Sequence, residues 1–591
     1  MNISRQQIYG LLILISASIM FGRIMAVDRV DYKELQNYKW RLNNKLYKEK
    51  NERLKGRLER GEIKYESYVR EMKKTHQSLT KDAQYNTPIL SGNDRSRWGT
   101  IRVLVEPELR VKRKIKDING NESEQIVWYA IDNVQGEKGF DTIDMVKHSL
   151  PDDPEVGYLY SSKPPLLPTL MAIPYAAIYH GSNWLFKSKE IEISPDLSDT
   201  KPESAEVVPE VAPTEIQNDS SEFETVPDSL AVKFGGDSGE VSGLGTISLA
   251  DNEERYFVVR AMLVLINLIP VVFCWVLLSR LIEQFGKDDW SRIFCVAFIC
   301  FGTFLSTFIV TLNNHIPAMV CVTITCYAVV RIFFDDKVRL RYFFVAGFFG
   351  VLAFACDLPT ISFGFVVGLL LLIKHPRQTL AGFVPMAMIV FAGFFATNYV
   401  AHHDIRPAYG NKEWYFFEYQ RSPNQNAEPL KSYWYNPQGV DKGESSRLVY
   451  CVQSMVGHHG LFSLTPVFLL SFLGLFLWLF WGGDLRLRVS ALVILVISVV
   501  VLAFYLLLMG QNQRSYGGVS SALRWLFWLI PLWSVALVGI VDKMAKYATG
   551  RGICLIFLLV SIFSASYPTW NPWTHPWLYQ LMIYLKFPVL M

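Results

Sequence analysis

Residues 489–509, VSALVILVISVVVLAFYLLLM, carry no charged side chain over a length that is sufficient to cross a bilayer. A helix is the only single segment that satisfies its own backbone hydrogen bonds inside lipid. Comparable apolar runs follow one another closely from Tyr256 onward. The mean hydropathy of +0.19 therefore comes from local blocks. These blocks predict an all-α polytopic membrane protein.

The apolar runs predict about eleven transmembrane helices. The first helix lies within residues 1–27, spans two to seven lie within 255–400, and spans eight to eleven lie within 459–567. The individual predicted spans are 8–27, 256–281, 291–311, 316–334, 342–357, 359–373, 379–400, 459–481, 489–509, 522–541 and 552–567.

The short loops between these spans alternate in charge, which predicts their orientation. Loops such as 312-LNNH-315 and 357-DLP-359 lack lysine and arginine, whereas the loops between them are basic. Basic short loops stay in the cytoplasm. A cytoplasmic N-terminus in an inner or plasma membrane then requires residues 164–186 to lie along the interface rather than cross it. An outside N-terminus with about twelve spans is the alternative. The basic loops lie near residues 280–292, 337–341, 374–377, 486–488 and 543–551.

Long polar segments predict the regions outside the membrane. Residues 28–186 form a large exocytoplasmic loop that begins with a very charged stretch, which favours a solvated helix or hairpin. Residues 187–254 are acidic and rich in proline and serine, which predicts a disordered insert. A second exocytoplasmic loop covers residues 401–458, and the tail 568–591 is expected to lie at the outer interface.

The composition excludes several classes of function. The net charge of +4 is near balance, and no run interleaves basic and stacking residues, so no nucleic-acid partner is expected. The chain has 8 cysteines, of which all but Cys451 lie in apolar runs. No cysteine or histidine spacing predicts a metal site or a disulfide framework. Membrane lipids are expected partners, and a requirement for a divalent cation stays open.

The stretch 92-GNDRSRWGTIRVLVE-106 places an acid, Asp94, before two arginines in the outer loop. Charge at membrane depth is costly and usually functional. One acid among several cations near a lipid surface suits an anionic, lipid-linked substrate, because the cations hold phosphate and the acid removes a proton. Other candidates at the same outer edge are Arg97, Asp144, Lys163, His315, Asp357, His458, His459, Arg514 and Arg524.

Three motifs follow one another in this first half of the chain. They are 94-DRSRW-98, then 162-SKPPLLPTL-170, and after the insert 256-YFVVRAMLV-264. This order resembles the GT-C class of integral membrane glycosyltransferases, which use a polyprenyl-phosphate sugar as donor. The nearest branches are the lipid A aminoarabinose transferases and the protein O-mannosyltransferases. The resemblance covers the first outer loop, while the later spans match by pattern only.

The resemblance implies inverting transfer of a sugar from a polyprenyl phosphate to an outer acceptor, which is a lipid, a glycan or a protein. Asp94 would be the catalytic base toward the acceptor, and Lys163 would bind the donor phosphate. Arg514 and Arg524 are further candidates for the phosphate by their charge. Two positions depart from the family pattern: Arg95 stands where a second acid is usual, and His315 stands where relatives often have an acid.

Simpler interpretations remain open beside these. Asp94 suits a helix N-cap, Lys163 an interfacial lysine, and Arg524 an anchor beside membrane tryptophans. His458 and His459 fit a structural turn. At the level of the whole protein, a flippase for a lipid-linked glycan and a catalytically degenerate scaffold are the alternatives to a transferase.

Overall fold

The computed structural model describes residues 4–27, 32–82, 91–116, 121–135, 142–187, 249–419, 429–569 and 571–585, and most of these are helical. Nearly all of the predicted insert 187–254 lies outside the described residues. Its last part is an exception, because a helix already begins at Leu249.

Seven helices are long and apolar enough to cross a membrane, by length and composition. The chain is therefore a multi-pass membrane protein, while the count of about eleven spans stays a prediction. The long helices are Arg5–Met25, Tyr256–Phe285, His315–Phe333, Pro376–His402, Leu485–Leu508, Arg524–Met544 and Ala548–Ser566. Shorter apolar helices at other predicted spans are Leu340–Cys356, Leu358–Lys374 and Val467–Trp481.

The predicted span 291–311 is helical only in its first half, over Asp289–Phe301. The N–H of Gly302 closes the helix on the Phe298 carbonyl, and a Cβ at Gly302 would lie 2.6 Å from the Phe298 ring. Beyond it, the hydroxyl of Thr303 donates to the Ile299 carbonyl at 3.3 Å. Hydroxyls that bond nearby carbonyls compete with helical hydrogen bonding. A short 3-10 turn, Phe308–Val310, completes the segment.

The predicted cytoplasmic loops meet at one end of the helix bundle, which we call the basic face. Arg5 at the start of the first helix pairs with Glu283 and Asp289. The start of the first helix therefore lies beside the end of the helix that finishes at Phe285. Further contacts at this face join Gln284 to Asp335, Lys287 to Asp542, Arg486 to Asp336 and Arg551 to Trp290.

Three candidate site residues lie at the opposite ends of bundle helices, namely His315, Asp357 and Arg524. His315 begins a helix of 19 residues that reaches the basic face at Phe333. A helix of that length spans about 28 Å, close to the thickness of a bilayer core. Arg524 likewise begins the helix that ends at Met544, and Asp357 follows the helix that ends at Cys356. These three residues therefore lie at the end of the bundle opposite the basic face, while the assignment of that end to the outer side stays a prediction.

The charged start of the first outer loop folds as a helical hairpin. Helices Tyr32–Glu59 and Tyr65–Asp82 pack together, and the Tyr68 hydroxyl donates to Asn51 at 2.6 Å. Leu54 is buried between them. The expectation of a solvated helix or hairpin is confirmed in its hairpin form.

Two-stranded antiparallel hairpins, which the all-α prediction did not include, complete the outer region. The pair Met145–Leu150 and Asp153–Ser161 matters for the site, since Met145 lies opposite Ser161. This register brings the residue before the first strand close to the residues after the second. The other strand pairs are Val111–Lys116 with Glu122–Val127 and Glu418–Tyr419 with Leu430–Lys431.

Helix Leu166–Lys187 corresponds to the segment predicted to lie along the interface. It contains Pro174 and is not among the helices that qualify as candidate spans. The hydroxyl of Tyr175 donates to Glu106 at 2.5 Å, and Glu106 also pairs with Arg102 at 2.6 Å. These contacts attach the helix to Gly92–Val105, while its position in a membrane stays a prediction. Other described helices are Arg447–Met455, Leu461–Leu464 and Trp577–Tyr584.

Candidate functional site

Asp94 is the third residue of helix Gly92–Val105, and Ser91, not Asp94, is the N-cap. Ser91 and Asp94 form a reciprocal capping box, in which the Ser91 N–H donates to Asp94 Oδ2 at 3.3 Å. The same oxygen accepts a hydrogen bond from the indole N–H of Trp573 at 3.0 Å. Asp94 Oδ1 is buried and has no hydrogen-bond partner among the described residues. The carboxylate is therefore fixed through one oxygen.

Burial raises the pKa of Asp94 to about 6. The positive charges of Arg97 and Arg524 oppose this shift, as do the hydrogen bonds from Ser91 and Trp573. The balance leaves a carboxyl group that exchanges its proton near neutral pH. Such a group suits general base chemistry, because the pKa lies near the operating pH.

Arg97 and Arg524 approach Asp94 from two elements. Arg97 lies one turn along the same helix, and its guanidinium donates to the side-chain oxygen of Asn314 at 2.6 Å. Arg524 donates to the Gly517 carbonyl at 3.0 Å and lies 4.7 Å above the Trp573 ring. Among the described residues, neither arginine has a carboxylate oxygen within ion-pair distance.

The turn that holds Arg524 requires an unusual backbone. Tyr516, Gly517 and Gly518 have φ values of 55°, 87° and 79°. Glycine reaches this left-handed region without steric cost, whereas tyrosine rarely adopts it. The turn directs the Gly517 carbonyl to the guanidinium of Arg524. Backbone strain of this kind often accompanies functional sites.

Lys163 lies beside Asp144, with 3.1 Å between Lys163 Nζ and Asp144 Oδ1. The strand pairing described above explains this, because Asp144 precedes one strand and Lys163 follows its partner. Burial lowers the pKa of Lys163, and the charges of Arg97 and Arg524 lower it further, against the attraction of Asp144. Lys163, which was predicted to bind the donor phosphate, therefore has Asp144 as a carboxylate partner.

His315 and Asp357 form a second buried pair, with Nδ1 and Oδ2 2.7 Å apart. The other ring nitrogen of His315 lies 3.4 Å from Arg524 Nη1. His315 at the start of one helix and Asp357 after the end of another therefore meet beside the guanidinium of Arg524. Asp357, a candidate by its charge, thus has His315 as its partner.

Tyr409 lies near these groups. It keeps 42% of its surface exposed, yet surrounding protein raises the pKa of its hydroxyl, and the charges of Arg97, Asp144 and Arg524 act on it. Lys163 Nζ is 6.0 Å from its ring centre. We call the assembled side chains the charge cluster: Asp94, Arg97, Asp144, Lys163, His315, Asp357 and Arg524.

The remaining candidates lie in a different place. His458 and His459 contact each other and the rings of Tyr516 and Tyr579, and His575 stacks on Tyr579 at 4.1 Å. These five residues form what we call the histidine cluster. Burial lowers the pKa of His458 to about 4, so its imidazole is neutral at physiological pH.

Arg514 lies beside this second group. Its guanidinium donates to the Ser445 carbonyl at 3.1 Å, and Glu444 next to it receives the Tyr516 hydroxyl. No described contact joins Arg514, His458 or His459 to the charge cluster. A pocket of about 350 Å³ opens here, with Glu444, His458, His459, Tyr516 and Tyr579 on its wall.

A mostly apolar pocket of about 360 Å³ lies along the segment that carries Arg524, and His459 of the histidine cluster is also on its wall. Leu523 and Leu526, which flank Arg524, line it, as do Phe527 and Trp533 on the same helix. The Phe527 ring is also 6.4 Å from the ring of His315. One segment therefore carries both a cation of the cluster and the apolar wall next to it.

Sequence reasoning missed several members of the site. Trp573 comes from the tail, Tyr409 from the segment predicted as the second outer loop, and Asn314 from the loop 312–315, which is distant from Asp94 in the sequence. Asp441 lies near enough for its pKa to respond to Asp144 and Arg524. Their contacts to Asp94, Lys163 and Arg97 arise from the tertiary fold, so no spacing in the sequence identifies them.

Within the described part of the chain, no group of three His, Cys, Asp or Glu side chains is arranged to hold a metal ion. Comparisons of the chain with protein-family models, with curated proteins and with solved structures find no match.

Proposed function

We propose that the protein is an inverting glycosyltransferase that moves a sugar from a polyprenyl-phosphate donor to an acceptor on the exocytoplasmic side of the membrane. The observation that carries the proposal is the charge cluster, in which a buried carboxylate of raised pKa lies between two arginines. Asp94 would act as the base, and Arg97, Lys163 and Arg524 would surround the donor phosphate.

The distribution of charge in the cluster favours an anionic ligand. Asp144 is paired with Lys163, and Asp357 lies 2.7 Å from the His315 ring nitrogen. Among the described residues, neither Arg97 nor Arg524 has a carboxylate oxygen within ion-pair distance, although the charges of Asp94, Asp144 and Asp357 act on Arg524. Burial keeps Asp94 partly protonated near neutral pH. A phosphate group would supply the missing negative charge and accept charge-assisted hydrogen bonds from both guanidinium groups.

The apolar pocket supports a lipid as the carrier of that phosphate. Its wall includes Leu526, Phe527 and Trp533, which extend from Arg524 along one helix. A phosphate at Arg524 would place an attached hydrocarbon chain against these side chains. Burying such a chain is favourable by about 25 cal/mol per Å² of apolar surface.

The reaction would proceed by direct displacement at the anomeric carbon. Asp94 takes the proton of the acceptor hydroxyl, the acceptor oxygen bonds to the carbon, and the bond from that carbon to the phosphate oxygen breaks. The polyprenyl phosphate leaves with the bonding electrons, and the cations of the cluster stabilise its negative charge. Attack opposite to the leaving group inverts the configuration at that carbon.

The proposed orientation places the N-terminus in the cytoplasm and the charge cluster outside, in an inner or plasma membrane with about eleven spans. The contacts of Arg5 with Glu283 and Asp289 support this, because they put the N-terminus on the basic face. The helix Leu166–Lys187 would then lie along the outer interface. A cysteine-accessibility assay at Ser4 and at Asn436 measures the two sides separately.

Asp94→Asn tests the proposal. The purified protein is given synthetic polyprenyl-phosphate hexoses and pentoses with a cell-envelope extract as acceptor, and released polyprenyl phosphate is measured by mass spectrometry. Because a positioned base contributes about 10²- to 10⁴-fold, the variant should lose at least 100-fold in rate. Undiminished release by the variant would exclude Asp94 as the base.

Asp132→Asn is the matched control. Asp132 is a second carboxyl in the outer loop whose pKa burial raises to about 6, and it accepts a hydrogen bond from the Leu159 N–H at 3.0 Å. It has no described contact with the charge cluster, so transfer should stay within about 3-fold of wild type. In proteoliposomes, passage of an intact donor lipid without release of polyprenyl phosphate would support a flippase instead.

A further inference from the structure

The tail after the last apolar helix returns to the charge cluster. Its path is anchored where the Ser521 N–H donates to the Pro572 carbonyl at 3.0 Å. The next residue, Trp573, donates its indole N–H to Asp94 Oδ2 at 3.0 Å. Its ring lies edge-on to Phe308 at 5.5 Å. A segment distant in sequence therefore supports the proposed base directly.

The same indole ring also lies beneath Arg524, with 4.7 Å between the guanidinium carbon and the ring centre. Trp573 thus has a hydrogen bond to the carboxylate and a cation–π contact to the cation. A direct ion pair between Arg524 and Asp94 would stabilise the ionised carboxylate and weaken it as a base. The indole gives each group a partner without joining the two in such a pair.

We propose that Trp573 is a positioning residue for Asp94. Its N–H holds Asp94 Oδ2 and leaves Oδ1 as the oxygen that receives the acceptor proton. Its ring keeps Arg524 out of a direct ion pair with the carboxylate. This inference rests on the proposed function, and it assigns a role to the C-terminal tail. The tail then completes the site rather than serving only as a membrane anchor.

The electrostatics of Asp94 agree with this arrangement. The charged groups that act on it are Arg97 on its own helix and Arg524 on the facing segment, and His315 lies beside Arg524. The Trp573 hydrogen bond lowers the pKa of Asp94, against the larger effect of burial. Removing only the N–H should therefore raise this pKa, since the ionised carboxylate loses a donor.

Trp573→Phe removes the N–H and keeps an aromatic ring under Arg524. We expect kcat for donor cleavage to fall at least 10-fold, KM to stay within about 3-fold, and the acid limb of the pH profile to move to higher pH. Trp577→Phe is the matched control, because Trp577 donates its N–H to Ser564 at 2.9 Å in the same tail. Equal kinetics and pH profiles in the two variants would overturn the proposal.

A second measurement does not depend on transfer. In protein labelled with 5-fluorotryptophan, the ¹⁹F resonance of Trp573 is assigned by its loss in Trp573→Phe. It should titrate with a midpoint near 6, as expected for Asp94, and the titration should disappear in Asp94→Asn. A Trp573 resonance whose titration is the same in the wild-type protein and in Asp94→Asn overturns the positioning role. A normal titration in a protein that cleaves no donor overturns the proposed function and leaves the contact intact.

Discussion

The charge cluster and the histidine cluster lie on the same side of the bundle, and the loop 510–524 contributes to both. Arg514 near the start of that loop bonds a backbone carbonyl beside the histidines. Arg524 at its end faces Asp94, His315 and the Trp573 ring. The two regions therefore share a scaffold and differ in which side chains meet.

The difference lies in what burial does to each region. In the histidine cluster, aromatic rings stack on imidazoles, and burial lowers the pKa of both His458 and His575. Stacked neutral rings stabilise packing but do not hold an anion. In the charge cluster, neither Arg97 nor Arg524 has a carboxylate at ion-pair distance in the part of the chain that the structure describes. The two regions thus differ in whether they offer positive charge to a ligand.

The largest expected difference between the two regions is in the kcat/KM for donor cleavage of the variants Arg524→Met and Arg514→Met. Arg524→Met should lower kcat/KM for donor cleavage on the order of 100-fold, because a buried charge-assisted contact to phosphate is lost. Arg514→Met should stay within about 3-fold. The measurement is release of polyprenyl phosphate from the donor at subsaturating concentration. Equal losses in the two variants would remove the distinction between the regions.

The pH dependence of the charge cluster should be the next largest effect. Asp94 is a base only when ionised, so kcat/KM should fall as pH decreases through about 6, by roughly tenfold between pH 7 and pH 5. Lys163 has a lowered pKa, so the alkaline limb should lie below the usual range of lysine. Asp132→Asn should leave the profile unchanged. An acid limb at pH 4 would contradict the role of Asp94.

The smallest expected effect is in the histidine cluster. His458→Phe keeps a ring against Tyr516 and Tyr579, at the cost of the contact to His459. Transfer should stay within about 2-fold of wild type, while the melting temperature in detergent falls by a few degrees. Loss of transfer comparable to that of Arg524→Met, in a protein with an unchanged melting temperature, would show that the two regions act as one site.

The sequence predicted much of the membrane-embedded architecture, since long apolar runs and basic loops follow simple physical rules. Residues 489–509 and 316–334 correspond to helices Leu485–Leu508 and His315–Phe333. The prediction from hydropathy was wrong where local interactions end a helix inside an apolar run, as at Gly302. The outer hairpins were missed because a short strand pair depends on its partner strand.

The site was predicted in part for similar reasons. Asp94, Lys163 and Arg524 were candidates by their charge, and the roles of Asp94 and Lys163 were implied by the family resemblance. The fold brings Arg524 near enough to act on both of the others. Charge alone did not separate Arg524 from Arg514, because their difference arises from a turn with positive φ values. Trp573 was beyond prediction, because its position depends on how the tail packs against the loop.

The most direct test of the central claim is whether the charge cluster binds a lipid phosphate. A short-chain polyprenyl phosphate is titrated into purified protein in detergent, and binding is followed by its ³¹P resonance. We predict saturable binding to the wild-type protein and to Arg514→Met, and at least tenfold weaker binding to Arg524→Met and Lys163→Met. Binding of equal strength in all four proteins would contradict the claim that these cations hold the phosphate.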